Sequence, residues 1–127
     1  MRPDRGQFAA IFLGGFAGAI ARVALTETWS AGAGEWPWAT FAANVAGALA
    51  LGYVATRYAP SSRPQRLLGT GLCGALTTFS TMQLELLAML DGGHVALAAA
   101  YALVSVAVGL AALALSTRIT RRGRAAT

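Results

Sequence analysis

Four apolar stretches, each close to the length that crosses a bilayer, restrict this 127-residue chain to one kind of architecture. They cover about 8–25, 38–56, 67–90 and 95–115. A helix needs about 20 apolar residues to span the hydrocarbon layer. A lone strand would leave backbone groups unpaired in lipid, and the alternating pattern of a membrane barrel is absent. Apolar residues make up 56% of the chain and charged ones 12%. A soluble domain this small has too little interior to bury that much apolar surface. The expectation is an all-α integral membrane protein of four transmembrane helices, forming one domain over residues 1–127.

Charge sets the expected orientation. The formal net charge is +5 and all ten basic residues are arginine, a balance that would suit nucleic acid if it were clustered in a groove. Instead Arg2 and Arg5 precede the first stretch, and Arg57, Arg63 and Arg66 flank the second connection. Arg118, Arg121, Arg122 and Arg124 form the tail. The other two connections contain Glu27, Glu35 and Asp91 but no arginine. Positive charge collects on the cytoplasmic side, so both termini are expected there, in a multi-pass protein of a bacterial plasma membrane, with no nucleic-acid partner. Trp29, Trp36 and Trp38 between the first two stretches suit the opposite headgroup layer. The start resembles a signal peptide, but further spans follow, so a retained helix is expected.

The third stretch does not read as a plain lipid-facing helix. Gly69, Gly71 and Gly74 weaken it, and Thr77, Thr78, Ser80 and Thr81 offer the backbone other hydrogen-bond partners. A helix broken at membrane depth frees backbone groups that can line a cavity or hold an ion. Asn44 lies mid-membrane in the second stretch, where an amide is costly without partners. Tyr101 and Ser105 stand four apart on the fourth, so they share a face. Arg22 could snorkel to the interface, and Glu85 could face a vestibule or reach the interface. Gly14 with Gly18, Ala43 with Gly47, Ala48 with Gly52 and Thr70 with Gly74 have the spacing of close helix contacts.

Catalysis is not expected. No His, Cys or carboxylate cluster has metal-ligand spacing, and no phosphate-binding glycine pattern occurs. His94, the only histidine, sits in the turn Asp91-Gly92-Gly93-His94, far from the Ser80 region. Cys73, the only cysteine, reads as a small buried hydrophobe.

Three segments together resemble the Fluc/CrcB fluoride ion channel family along nearly the whole chain. They are Gly14–Arg22 (GGFAGAIAR), Thr40–Gly47 (TFAANVAG) and, most specific, Gly71–Thr81 (GLCGALTTFST). The resemblance implies a fluoride-specific channel that exports the ion passively and relieves its toxicity. It implies an antiparallel dimer with two pores and a structural sodium ion at its centre, held by backbone carbonyls that fall on Gly74 and Thr77. The family's pore residues fall on Asn44, Phe79, Ser80, Thr81, Met82, Tyr101 and Ser105, with Arg22 and Glu85 as structural or vestibule positions. Hydroxyl and amide donors can replace water around fluoride without a fixed charge that would hold it too tightly. An aromatic edge at Phe79 adds partial positive charge.

Three departures stand out. Met82 replaces the second phenylalanine of the family's pair, giving a thioether in place of a ring edge. Ala48 and Gly109 stand where serines often extend the polar surface. The arginine bias opposes insertion of one sequence both ways, so besides a homodimer a heterodimer with an oppositely oriented paralogue is expected. The rival readings are a small multidrug-type exporter and a structural membrane subunit without transport of its own. The first needs a carboxylate in the first span, which contains none.

Overall fold

The helices run unbroken except at the hydroxyl pair Thr77-Thr78, even where glycines recur as in the first of them. The computed structural model describes Arg2 and residues 4–127, and its elements are all helical. Helix α1 spans Arg5–Thr28 and α2 spans Trp38–Arg57. A π-helical segment, Gln65–Cys73, leads directly into the single turn α3, Gly74–Leu76. After two extended residues, Thr77 and Thr78, the chain resumes as α4, Phe79–Asp91, and then α5, Val95–Ala125.

Among the described residues, α1, α2 and α5 are long and apolar enough to cross a membrane on their own. The expected third span is present as two half-helices that meet at the break, neither of which is long enough alone. At about 1.5 Å per residue, the 31 residues of α5 run about 46 Å, well beyond a hydrocarbon layer. Its last turns carry the arginine tail out of the membrane as continuous helix. Hydropathy ends near residue 115, but arginine is a good helix former and nothing there stops the winding.

The ends are fixed by local chemistry. Asp4 caps α1 by accepting from the Gln7 amide at 2.7 Å, and the Gln7 side chain accepts from the Asp4 amide, a reciprocal capping box. Helix α4 closes with the Schellman pattern: the His94 amide donates to the Met89 carbonyl and the Gly93 amide to that of Leu90. Gly93 holds a φ of +79°, which disfavours a side chain. Replacing Gly93 by Ala should therefore cost about 1–2 kcal/mol and lower the thermal midpoint in detergent by a few degrees. Gly109→Ala, in a helix interior with open space around it, should not lower it.

Two helix pairs build the body. Helix α1 lies along the π-helical segment with the backbones in direct approach. A Cβ on Gly71 would stand 2.7 Å from the Ile11 carbonyl oxygen, and one on Gly14 or Gly18 would collide with the Leu67 or Leu72 carbonyl. Helix α2 packs on α5, where Gly52 admits Ser116, whose hydroxyl donates to the Leu49 carbonyl at 2.6 Å. Gly47 admits the Thr77 methyl. Thr70 and Gly74, by contrast, are exposed and face away from the rest of the chain. The small-residue spacing thus marks real contacts at Gly14, Gly18, Gly47 and Gly52, and an open surface at Thr70 and Gly74.

The two ends of the bundle differ in charge as the sequence predicts. The Gln7 side chain donates to the Ser61 carbonyl at 2.7 Å, and Arg124 donates to the Thr56 carbonyl, drawing N-terminus, second connection and tail to one end. At the other end Gly34 lies against the His94 ring, and Trp29 stacks on Trp38 at 6.4 Å. Much of the lateral surface is apolar: Phe8, Phe12, Phe16, Ile20 and Val23 are all exposed on α1. Such a surface suits a multi-pass membrane protein, because lipid solvates it.

Candidate functional site: the broken third span

The break is held open by Asn44. The Thr78 amide donates to Asn44 Oδ1 at 2.8 Å, and Asn44 Nδ2 donates to the Thr78 carbonyl at 3.2 Å. One amide side chain thus replaces both helical partners of a single residue. In a continuous α-helix the Thr78 amide would bond the Gly74 carbonyl four residues back. Taken by Asn44, it leaves the Gly74 carbonyl without that partner. This arrangement answers the cost of an amide at membrane depth: Asn44 and the opened backbone satisfy each other.

Each side of the break has its own chemistry. On the C-terminal side of the first half, Arg22 reaches across from α1 and its Nε donates to the Ala75 carbonyl at 3.1 Å. A cation at a helix C-terminus matches the partial negative charge there. Arg22 therefore lies against the break, half-buried, and not free at the interface. The Thr77 hydroxyl and amide both donate to the Cys73 carbonyl, at 2.9 and 3.1 Å. A cleft of about 210 Å³ lies beside Gly74 and Thr77, walled by Gly47, Ala48, Leu51 and Gly69.

On the other side, Thr78 caps α4. Its Oγ1 accepts from the Thr81 amide at 3.2 Å, donates to Thr81 Oγ1 at 3.0 Å, and lies 3.3 Å from Ser80 Oγ. The first amides of α4, at Phe79 and Ser80, lie where a helix has no carbonyl to reach, so partial positive charge gathers beside these hydroxyls. Phe79 projects outward, 67% exposed, and Ser80 is also exposed. Met82, one turn on, faces inward and packs with Met89, Ala98 and Tyr101 in the core of the chain. Phe79 and Met82 therefore do not share one surface of the chain.

A second polar group continues the site. Glu85 accepts from the Thr40 hydroxyl at 2.6 Å and from the Tyr101 hydroxyl at 2.7 Å, so α2, α4 and α5 converge on one carboxylate. It also lines a cavity of about 180 Å³ below the loop between α1 and α2, together with Thr26, Glu35 and Thr40. Glu85 is thus engaged by two neighbouring helices and faces this cavity. Tyr101 is fully buried, with Trp36 edge-on against its ring at 5.3 Å. Ser105, one turn along the same face, has a buried hydroxyl without a partner among the described residues.

The sequence reading missed Thr40, which is four residues before Asn44 and so on the same face of α2. That spacing was the available signal. It also missed Thr78 as the residue Asn44 grips, for which no local signal exists.

The break and its asparagine clamp coincide with the segments that carry the family likeness. The family profile described as CrcB-like protein, Camphor Resistance (CrcB), matches residues 9–117. The chain belongs to the CrcB family. A relative from Mycobacterium bovis, named fluoride-specific ion channel FluC 1, is 50% identical over 125 residues, covering 95% of each chain. One from Nocardia farcinica, named fluoride-specific ion channel FluC 2, is 39% identical and covers 93% of this chain and 87% of its own. One from Bacteroides fragilis, named fluoride-specific ion channel FluC, is 34% identical over 110 residues, covering 81% of this chain and 87% of its own. The matched region of the CrcB profile contains every element of the break, from Arg22 to Ser105.

Proposed function

We propose that this CrcB protein is a fluoride-specific channel that lets the ion leave the cell passively, and that the Asn44-clamped break is the centre of its pore. The observation that carries the reading is the combination at Thr77–Thr81: helix-start amides, four hydroxyls and the exposed Phe79 edge, with no lysine or arginine among them. Fluoride needs close donors to replace its hydration, and neutral donors allow release. Asn44, Phe79, Ser80 and Thr81 form the donor surface in this reading. Tyr101 and Ser105 extend it toward Glu85, and Met82 supports the wall behind Phe79.

The carbonyls of Gly74 and Thr77 fit a structural sodium ion. Gly74 has lost its helical donor to Asn44, lies on the open side of the chain and lines the 210 Å³ cleft with Thr77. A sodium ion would supply fixed positive charge there, and the carbonyls are the hard oxygen ligands such a cation takes. Because the cleft is open on one side, the reading includes a second subunit that closes it, so the working unit is a dimer. The nine arginines at one end favour one orientation, with that end and both termini in the cytoplasm. An oppositely oriented paralogue is then the preferred partner over a second copy of the same chain.

Fluoride efflux from proteoliposomes, followed with a fluoride-selective electrode, tests this. The chain, alone or with its paralogue, should release fluoride and retain chloride, and Phe79→Ala should cut efflux by more than tenfold while the purified protein stays monodisperse. Vesicles that hold fluoride under both conditions would overturn the channel reading. Cysteine labelling of the tail in intact cells checks the orientation: strong labelling from outside would contradict a single insertion.

A further inference from the structure

The arginine-rich end has far more positive charge than the protein itself neutralises. Nine arginines gather there against one carboxylate, Asp4, which is engaged in capping α1. Between α2 and the end of α5 a cleft of about 610 Å³ opens at this level. Its rim carries Arg57 and Arg124, and its wall carries Tyr53, Ile119 and Gly123. Tyr53 and Ile119 are exposed, 46% and 61%. Gly123 has open space where a side chain would stand.

The two guanidiniums are available. Arg124 donates one N–H to the Thr56 carbonyl, which fixes its head over the cleft and leaves further N–H groups for another partner. Arg57 lies 5.9 Å over the Tyr58 ring, and among the described residues it donates no hydrogen bond to the protein. Two forked donors above an apolar wall, at the depth where a helix leaves the membrane, match one kind of molecule: a phosphodiester with acyl chains attached.

We propose that this cleft is a binding site for an anionic glycerophospholipid, whose phosphate sits between Arg57 and Arg124 while an acyl chain lies along Tyr53 and Ile119. Gly123 is the opening through which the headgroup enters. The bound lipid ties the end of α5 to the end of α2, adding to the bond from Arg124 to the Thr56 carbonyl. The site is on the opposite side of the bundle's midplane from the cavity at Glu85 and stands independently of fluoride conduction.

Native mass spectrometry of the full chain in neutral detergent, titrated with dioleoyl phosphatidylglycerol or dioleoyl phosphatidylcholine, decides it. The wild type should retain phosphatidylglycerol in preference to phosphatidylcholine. Arg57→Gln with Arg124→Gln should reduce that retention by roughly fivefold for each arginine. Gly123→Leu, which keeps every charge, should reduce it as strongly by filling the opening. Arg121→Gln with Arg122→Gln, the same charge loss outside the cleft, should change it less than about twofold. Equal losses in the two double variants would overturn the site in favour of diffuse surface charge, as would an absence of lipid preference in the wild type. Displacement of the lipid by excess inorganic phosphate would overturn it in favour of a free-phosphate site.

Discussion

Asn44→Ala should abolish most fluoride efflux while leaving the protein able to insert and purify. The substitution removes both partners of Thr78 at once, the acceptor of its amide and the donor to its carbonyl. Each unpaired group at membrane depth costs about 1–3 kcal/mol, so the break loses about 2–6 kcal/mol of support. The chain has one easy way to recover part of this: the Thr78 amide can return to the Gly74 carbonyl and extend the first half-helix. That repair would rotate Phe79 and Ser80 and cover the Gly74 carbonyl, the two features on which the proposed anion path and sodium site depend. Asn44→Asp separates the two bonds. A carboxylate still accepts from the Thr78 amide but cannot donate to its carbonyl, and it adds negative charge beside the proposed anion path. Efflux should fall at least tenfold in both variants by the electrode assay, with Asp no better than Ala. Efflux in Asn44→Ala within about twofold of wild type would remove the clamp from the conduction mechanism.

Much of this site was legible in the sequence, for physical reasons that also mark what was not. Glycine and hydroxyl content announced the break, because those residues weaken a helix wherever they occur. Asn44 stood out because lipid makes an unpartnered amide expensive. Tyr101 and Ser105 could be paired because helical spacing is a local property. The contacts that assemble these parts are not local. Asn44 meets Thr78 across 34 residues and Arg22 meets Ala75 across 53, so their spacing in sequence carries no geometric information. Glu85 could be flagged as a carboxylate at membrane depth, but its engagement by Thr40 and Tyr101 depends on how three helices converge. The π-helical winding of Gln65–Cys73 was invisible for another reason. A shift from the fourth to the fifth carbonyl changes no residue preference that composition reports, although wide turns of this kind do recur at functional sites. The helical tail of α5 was missed because hydropathy measures membrane depth and not helix length.

Gly14→Val, and more so Gly14→Val with Gly18→Val, should yield little folded protein, whereas Gly15→Ala should be tolerated. The three glycines are neighbours in sequence but not in environment. A Cβ on Gly14 would strike the Leu67 carbonyl and stand 2.9 Å from the Leu72 amide nitrogen; one on Gly18 would strike the Leu72 carbonyl. Around Gly15 there is nothing within 4 Å. Overpacking a core side chain costs about 1–3 kcal/mol because neighbours can shift rotamers. Here the obstacle is backbone, which has no rotamer to change, so α1 must withdraw from the π-helical segment. Lipid offers no compensating hydrophobic force, since these helices associate through packing. Withdrawal would also pull Arg22 away from the Ala75 carbonyl, because that bond needs α1 seated against the first half-helix. The close approach thus links fold to function: glycines with no chemistry of their own set the distance at which an arginine can cap the break. Gly15→Ala keeps that distance and trades a flexible residue for a better helix former, a gain of about 0.5–1 kcal/mol. Size-exclusion profiles and thermal midpoints in detergent should therefore separate the glycines sharply. A monodisperse Gly14→Val/Gly18→Val protein with a wild-type midpoint would contradict the close backbone approach itself.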